Sequence, residues 1–113
     1  MTRLSKIAET PPSAVEEALR QLGGNLRTAR LRRRLTRQQL SERIGVTRKV
    51  LADIERGKPT TAVAAYVGAL WALGLLGDLR PVAHPDNDAE GKALERARAP
   101  KTAPKRRRLD DDF

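Results

Sequence analysis

Between Thr36 and Gly57 the chain is punctuated four times by residues that start or stop helices. Thr36 occupies an N-cap position and Gln39, three residues on, completes a capping box, in which each side chain satisfies the other residue's free amide. Leu40 and Ile44 supply an apolar face, and Gly45 fits the left-handed position that closes a helix. Thr47 then caps a second helix over 48–55 with Leu51 and Ile54 inward, and Gly57 ends it. The tract therefore predicts two short helices joined by a tight turn, with Leu40, Ile44, Val46, Leu51 and Ile54 packed beneath.

The flanks extend this into an all-α domain. Residues 1–12 end in Pro11-Pro12, hold no apolar period and read as a flexible arm. Ser13 with Glu16 forms a further capping box, and Val15, Leu19, Leu22, Leu26 and Ala29 trace one face of a helix over 14–34. Gly23-Gly24 interrupts that face at a cost of up to about 2 kcal/mol relative to two alanines. Either the helix breaks there or it runs on, straight or slightly kinked; the second is preferred. Thr60 or Thr61 caps a fourth helix to Leu73, and Gly74, Gly77 and Pro81 leave room for a short fifth around 75–80. The expected organisation is an arm over 1–12, a five-helix domain over 13–83 and a charged tail over 84–113, with disordered termini. The tail has eight basic and seven acidic residues, three prolines and a segment at 89–98 compatible with a short helix; the rest is expected to be disordered when unbound.

Charge narrows the function. Lys and Arg outnumber Asp and Glu by 23 to 14, a net +9, and the tail's near balance puts almost all of the excess in residues 1–83. Such a surplus calls for a polyanionic partner. Six arginines (Arg27, Arg30, Arg32, Arg33, Arg34 and Arg37) fall within eleven residues that hold no acid, which favours phosphate contact over an ordinary solvated face for all but Arg30, whose position suggests an internal pair. On the second short helix Arg48, Lys49, Ala52 and Asp53 are expected on the outer side, and Arg and Lys pair with guanine O6 and N7 in the major groove. Asp53 is expected to bond a neighbouring Arg more readily than cytosine.

Other classes are disfavoured. The chain has no cysteine and one histidine, His84, read as a loop residue, so no metal or other cofactor is expected. No nucleophile with a matched base and no phosphate-binding glycine loop appears, so an enzyme is not expected. Thr60–Gly77 carries no charge but is rich in Ala, Gly and Thr, which argues against a membrane span. Met1–Ser13 lacks an apolar run, so no signal peptide is read and a cytoplasmic location follows. Tyr66 and Trp71 are expected in the core or a dimer interface rather than stacked on bases. The Lys105–Arg108 cluster, followed by Asp110-Asp111-Asp112, is equally compatible with a solvated tail and a binding patch, and Phe113 could anchor in a partner's pocket.

Gln39-Leu40-Ser41, Gly45-Val46-Thr47, Leu51 and Ile54-Glu55-Arg56-Gly57 together resemble the lambda-repressor/Cro-like (Xre-type) helix-turn-helix family, over residues 22–76. The resemblance implies a lambda-repressor-like fold, binding of double-stranded DNA as a homodimer on a palindromic operator, and a nucleoid-associated place in a bacterial cytoplasm. It implies a structural ion pair between Arg30 and Glu55. Arg48 and Lys49 would read bases, and Arg37, Gln38, Arg56 and Lys58 would hold phosphates. Thr47, Val50 and Asp53 complete the set of interface residues. Two residues depart from the pattern: Arg37 stands where the family usually has Gln, and Ser41 where it usually has Ala. A narrower resemblance, carried by Ala69–Leu76, Asp86, Gly91 and Ala93-Leu94-Glu95, is to the HipB-like antitoxins. It implies autoregulation of an operon and binding of a HipA-like kinase toxin; the alternative is a stand-alone Xre-type regulator.

Overall fold

The computed structural model describes residues 5–99. Lys105–Arg108, Asp110–Asp112 and Phe113 lie outside the described residues. The described chain is all-helical: α1 (Lys6–Glu9), α2 (Ser13–Arg32), α3 (Arg37–Ile44), α4 (Arg48–Glu55), α5 (Val63–Ala72) and α6 (Ala89–Arg98), with 3-10 turns at Leu76–Asp78 and Pro85–Asn87. It divides into two units between Leu79 and Arg80, four residues before the boundary read from composition.

In the first unit α2, α3, α4 and α5 enclose one core. Leu40, Leu51, Ile54 and Ala69 are fully buried, and Leu26, Ala29, Tyr66, Leu70 and Leu73 nearly so. Leu19, Leu22, Ile44 and Val50 are partly buried against them. Val15, expected on the inner face of α2, is exposed.

Both predicted caps of the central tract form. The Thr36 hydroxyl accepts from the Gln39 amide at 3.0 Å while Gln39 Oε1 accepts from the Thr36 amide at 2.9 Å. Thr47 Oγ1 accepts from the Val50 amide at 3.1 Å. Gly45 and Gly57 are left-handed, with φ of 88° and 72°. At Gly57 the Lys58 amide donates to the Asp53 carbonyl and the Gly57 amide to that of Ile54, the paired bonds of a Schellman motif.

Several expectations need correction. Ser13 is the first residue of α2 rather than its cap: Pro12 takes the cap position with φ fixed at −56°, and the Glu16 side chain pairs with Arg20 instead. The helix ends at Arg32, not 34, because Arg34 turns left-handed at φ 55° and the Leu35 amide bonds back to the Arg30 carbonyl. Neither Thr60 nor Thr61 caps α5; the Thr61 amide bonds the Lys58 carbonyl and Ala62 precedes the helix. The fifth helix is only a 3-10 turn, with Gly74 left-handed before it. Trp71 is 61% exposed, whereas Tyr66 is buried and donates to the Lys58 carbonyl at 2.8 Å. The arm holds one helical turn, Lys6–Glu9, closed by local backbone bonds.

The second unit buries no residue among those described. Its order is local. His84 Nδ1 accepts from the Asp86 amide, and Asp88 caps α6 by accepting from the Gly91 amide at 2.9 Å. The helix α6 falls on the segment 89–98 that the sequence left compatible with one, and before it a 3-10 turn forms at Pro85–Asn87, where disorder was expected.

The helix α2 runs through Gly23-Gly24 without a break, and the two glycines differ in kind. A Cβ at Gly23 would lie 2.4 Å from the Ile54 carbonyl oxygen and 2.7 Å from that of Glu55; at Gly24 it would meet nothing within 4 Å. Gly23 lets α2 touch the backbone at the end of α4, while Gly24 merely lacks a side chain. Gly23→Ala should therefore destabilise the protein by about 1–3 kcal/mol through overpacking. Gly24→Ala should stabilise it by up to about 1 kcal/mol through helix propensity. Thermal melts of the two variants should shift in opposite directions.

Candidate nucleic-acid interface

The site is assembled around two buried acids on α4. Glu55, the last residue of the helix, has a side chain only 2% exposed. Arg30 of α2 meets it with two donors, Nε to Oε2 at 2.6 Å and Nη2 to Oε1 at 3.2 Å. The third donor of Arg30, Nη1, bonds the Leu35 carbonyl at 2.8 Å, so the guanidinium is held on both sides. A fork of this kind suits a buried carboxylate because it satisfies both oxygens at once. Arg37, the first residue of α3, also donates to Glu55 Oε1, at 3.1 Å, while its side chain stays partly exposed. The lone carboxylate thus ties α2, α3 and α4 together, and the second arginine leaves the cluster net positive.

The second acid is Asp53. Placed on the outer face by the sequence reading, it is only 6% exposed. Arg56 Nη2 bonds Oδ1, and Lys49 Nζ lies 3.3 Å and Lys58 Nζ 3.8 Å from Oδ2. Burial acts to raise its pKa, but the bonds from Arg56 and Lys49 and the charges of Lys49 and Lys58 outweigh it and hold the carboxyl below its ordinary value. The group is ionised at neutral pH. A depressed native pKa stabilises the fold above the unfolded value and loses that contribution as pH falls through the native one.

The remaining residues fall into place around these acids. Arg48 is exposed in the first turn of α4 and pairs with no other described residue. Lys49, Arg56 and Lys58 are exposed at their charged ends but tethered to Asp53. Thr47 spends its hydroxyl on the helix cap, and Val50 is half-buried against the core. Gln38 donates to Glu42 at 2.7 Å on the surface of α3. Ser41 is buried, its hydroxyl bonded to the Gln38 carbonyl at 2.9 Å, so the departure from alanine costs no unsatisfied group. Among the described residues no buried side-chain donor or acceptor lacks a partner.

The expected bond of Asp53 to a neighbouring Arg is made by Arg56; the two links that sequence reading missed are Arg37 to Glu55 and the approach of Lys49 and Lys58 to the same Asp53. The second had a local signal in part: Lys49 and Asp53 stand at the i, i+4 spacing that brings side chains together on a helix. The first, between residues 18 apart in sequence, had none. No group of acids and histidines that could hold a metal ion occurs among the described residues. No described helix is long and apolar enough to cross a membrane.

The geometry of α3, the Gly45 turn and α4 agrees with comparison to known proteins. A family model described as a helix-turn-helix domain matches residues 21–83, more than half of the 113-residue chain. No curated protein and no solved structure matches it. The span matched covers all of α3, α4 and α5 and the part of α2 that carries Gly23 and Arg30. The chain therefore belongs to the helix-turn-helix domain family of DNA-binding proteins, with α3 and α4 as the two helices of the motif.

Proposed function

We propose that this protein is a sequence-specific transcriptional repressor that binds a palindromic operator as a homodimer, inserting α4 of each copy into the major groove. The observation that carries the reading is Arg48: it projects from the first turn of α4 with no partner among the described residues, where the N-terminal residues of a recognition helix meet base edges. Lys49, beside it, contributes to base contact from its tether. Arg37, Arg56 and Lys58 are suited to phosphate, since each keeps an exposed charged end while being held in place by a buried acid. Gln38 supports the same backbone contact. Dimerisation is favoured by α5, whose outer side exposes Val63 and Trp71 within a tract free of charge. Two copies can meet there without setting cation against cation. A dimer would place two α4 helices about 34 Å apart, one turn of duplex.

Within this reading the finer role is that of an antitoxin that represses its own operon and binds a HipA-like kinase toxin. The supporting observation is the separate unit after Leu79. It has local order, no buried residue among those described, and an exposed Leu94 on α6 that a partner could cover. Truncation after Leu79 should leave melting and operator affinity intact and abolish co-purification with the toxin. Retention of the toxin would leave a stand-alone regulator or an interface on the first unit.

Binding should be strongly salt-dependent, with a log–log slope of about −5 or steeper for six or more phosphate contacts per dimer. Arg48→Ala should cost about 1–3 kcal/mol at a single base pair of the operator and relax the preference there. Arg37→Ala should weaken all duplexes alike. Competition binding against single-base variants of a selected duplex checks both. An unchanged base preference in Arg48→Ala would remove α4 as the reader.

A further inference from the structure

A buried carboxylate surrounded by three exposed cations is an unusual thing to find on the face of a helix meant for a polyanion. An acid near phosphate repels it, so Asp53 opposes binding to every duplex equally. Its geometry indicates what it does instead. Lys49 approaches from one turn before it on α4, Arg56 from the helix end and Lys58 from the loop beyond. The loop is held to the same residue a second time, because the Lys58 amide donates to the Asp53 carbonyl at 3.0 Å. Tyr66 fixes the other side of that loop by its bond to the Lys58 carbonyl. Arg48 alone among the cations of α4 is left out of this arrangement.

We propose that Asp53 is a specificity-determining residue that acts without touching DNA, gathering Lys49, Arg56 and Lys58 onto one buried point so that they reach only the base and phosphate contacts within range of their tethers, while Arg48, without a partner among the described residues, searches for its own base. The inference rests on the DNA-reading role proposed above. Long cationic side chains left loose can settle on whatever phosphate is near, which strengthens binding to any sequence. Discrimination is a difference between two affinities, and it is lost as surely by raising the wrong one as by lowering the right one. Tethering limits where the three charges can reach, and the negative charge of Asp53 lowers the affinity for sequences that offer Arg48 nothing. Asp53 is thus a positioning residue, and its removal should produce a protein that binds DNA more tightly and reads it less well.

The test uses the full chain as wild type and as Asp53→Asn. Two duplexes serve as probes: one selected from a random pool by the wild type, and one of the same composition in scrambled order. In Asp53→Asn the affinity for the scrambled duplex should rise and the ratio of the two affinities should fall about tenfold. The salt slope on the scrambled duplex should steepen by about 1 per copy of the chain, the signature of one more phosphate contact. Nitrogen-15 relaxation of the Arg56 side chain supplies a readout without DNA: its Nε–H should be more ordered than that of Arg48 in the wild type and equally mobile in the variant. Equal weakening on both duplexes would mark Asp53 as merely structural and overturn the proposal, as would an unchanged ratio. If Asp53→Asn does not fold, an Arg56 side chain as mobile as Arg48 in the wild type overturns it, and an ordered one supports it. A wild type that does not distinguish the two duplexes overturns the DNA-reading role itself, and Asp53's part in it, by a separate route.

Discussion

One buried carboxylate, that of Glu55, joins three helices of the helix-turn-helix domain. It closes α4, receives two hydrogen bonds from Arg30 of α2 and one from Arg37 at the start of α3. Apolar packing alone would allow these short helices to slide, because Leu, Ile and Ala contacts are non-directional. The bonds to Glu55 are directional, and the same residue's carbonyl lies against Gly23, where α2 has no side chain to keep it away. Ion cluster and glycine contact therefore set the angle and the depth of α4 against α2 at the same place. With one tyrosine in a core made mostly of leucine, the domain relies on such specific contacts to define a single arrangement.

Burial also sorts the cations by role. Arg30 is internal and serves the fold. Arg37 shares the acid of Arg30 but reaches the surface, which places a fixed charge at the start of α3. Lys49, Arg56 and Lys58 are tied to Asp53 at the end and the flank of α4. Arg48 has no such attachment. From an arginine-rich sequence in which all the positive charges look alike, the fold produces a graded set. Some charges are held by a buried acid, and on α4 Arg48 pairs with no other described residue. This grading turns a generally basic protein into a candidate reader of sequence.

What could be read from the sequence was local. The caps at Thr36 and Thr47 and the left-handed turns at Gly45 and Gly57 each depend on residues within a few positions, and all four stand as the spacing indicated. The Arg30–Glu55 contact, 25 residues apart, came from family resemblance and had no local signal. Gly23 looked like a weak point in a helix because propensity shows only what a glycine loses in isolation; the benefit, contact with α4, lies in tertiary structure. Asp53 looked exposed because its polarity suggested the outer face, and its burial follows from the three cations that converge on it. Of the two places expected for Trp71, the core of one copy is ruled out by its exposure, because α5 turns Tyr66, Ala69 and Leu70 inward instead. Ser13 looked like a cap until Pro12, one residue earlier, took the position.

Glu55 and Arg30 act as one unit in holding α4 against α2. The most direct test is a double-mutant cycle with Arg30→Met, Glu55→Met and the pair together, followed by denaturant unfolding in the presence of a stabilising osmolyte. Removal of one partner leaves a buried charge unpaired and should cost roughly 3–5 kcal/mol, while the double variant should lose clearly less than the sum, because an apolar pair can replace a buried ion pair at little net cost. Losses that add to within about 0.5 kcal/mol would show that the two side chains are energetically independent and that the pair does not hold α4 as a unit.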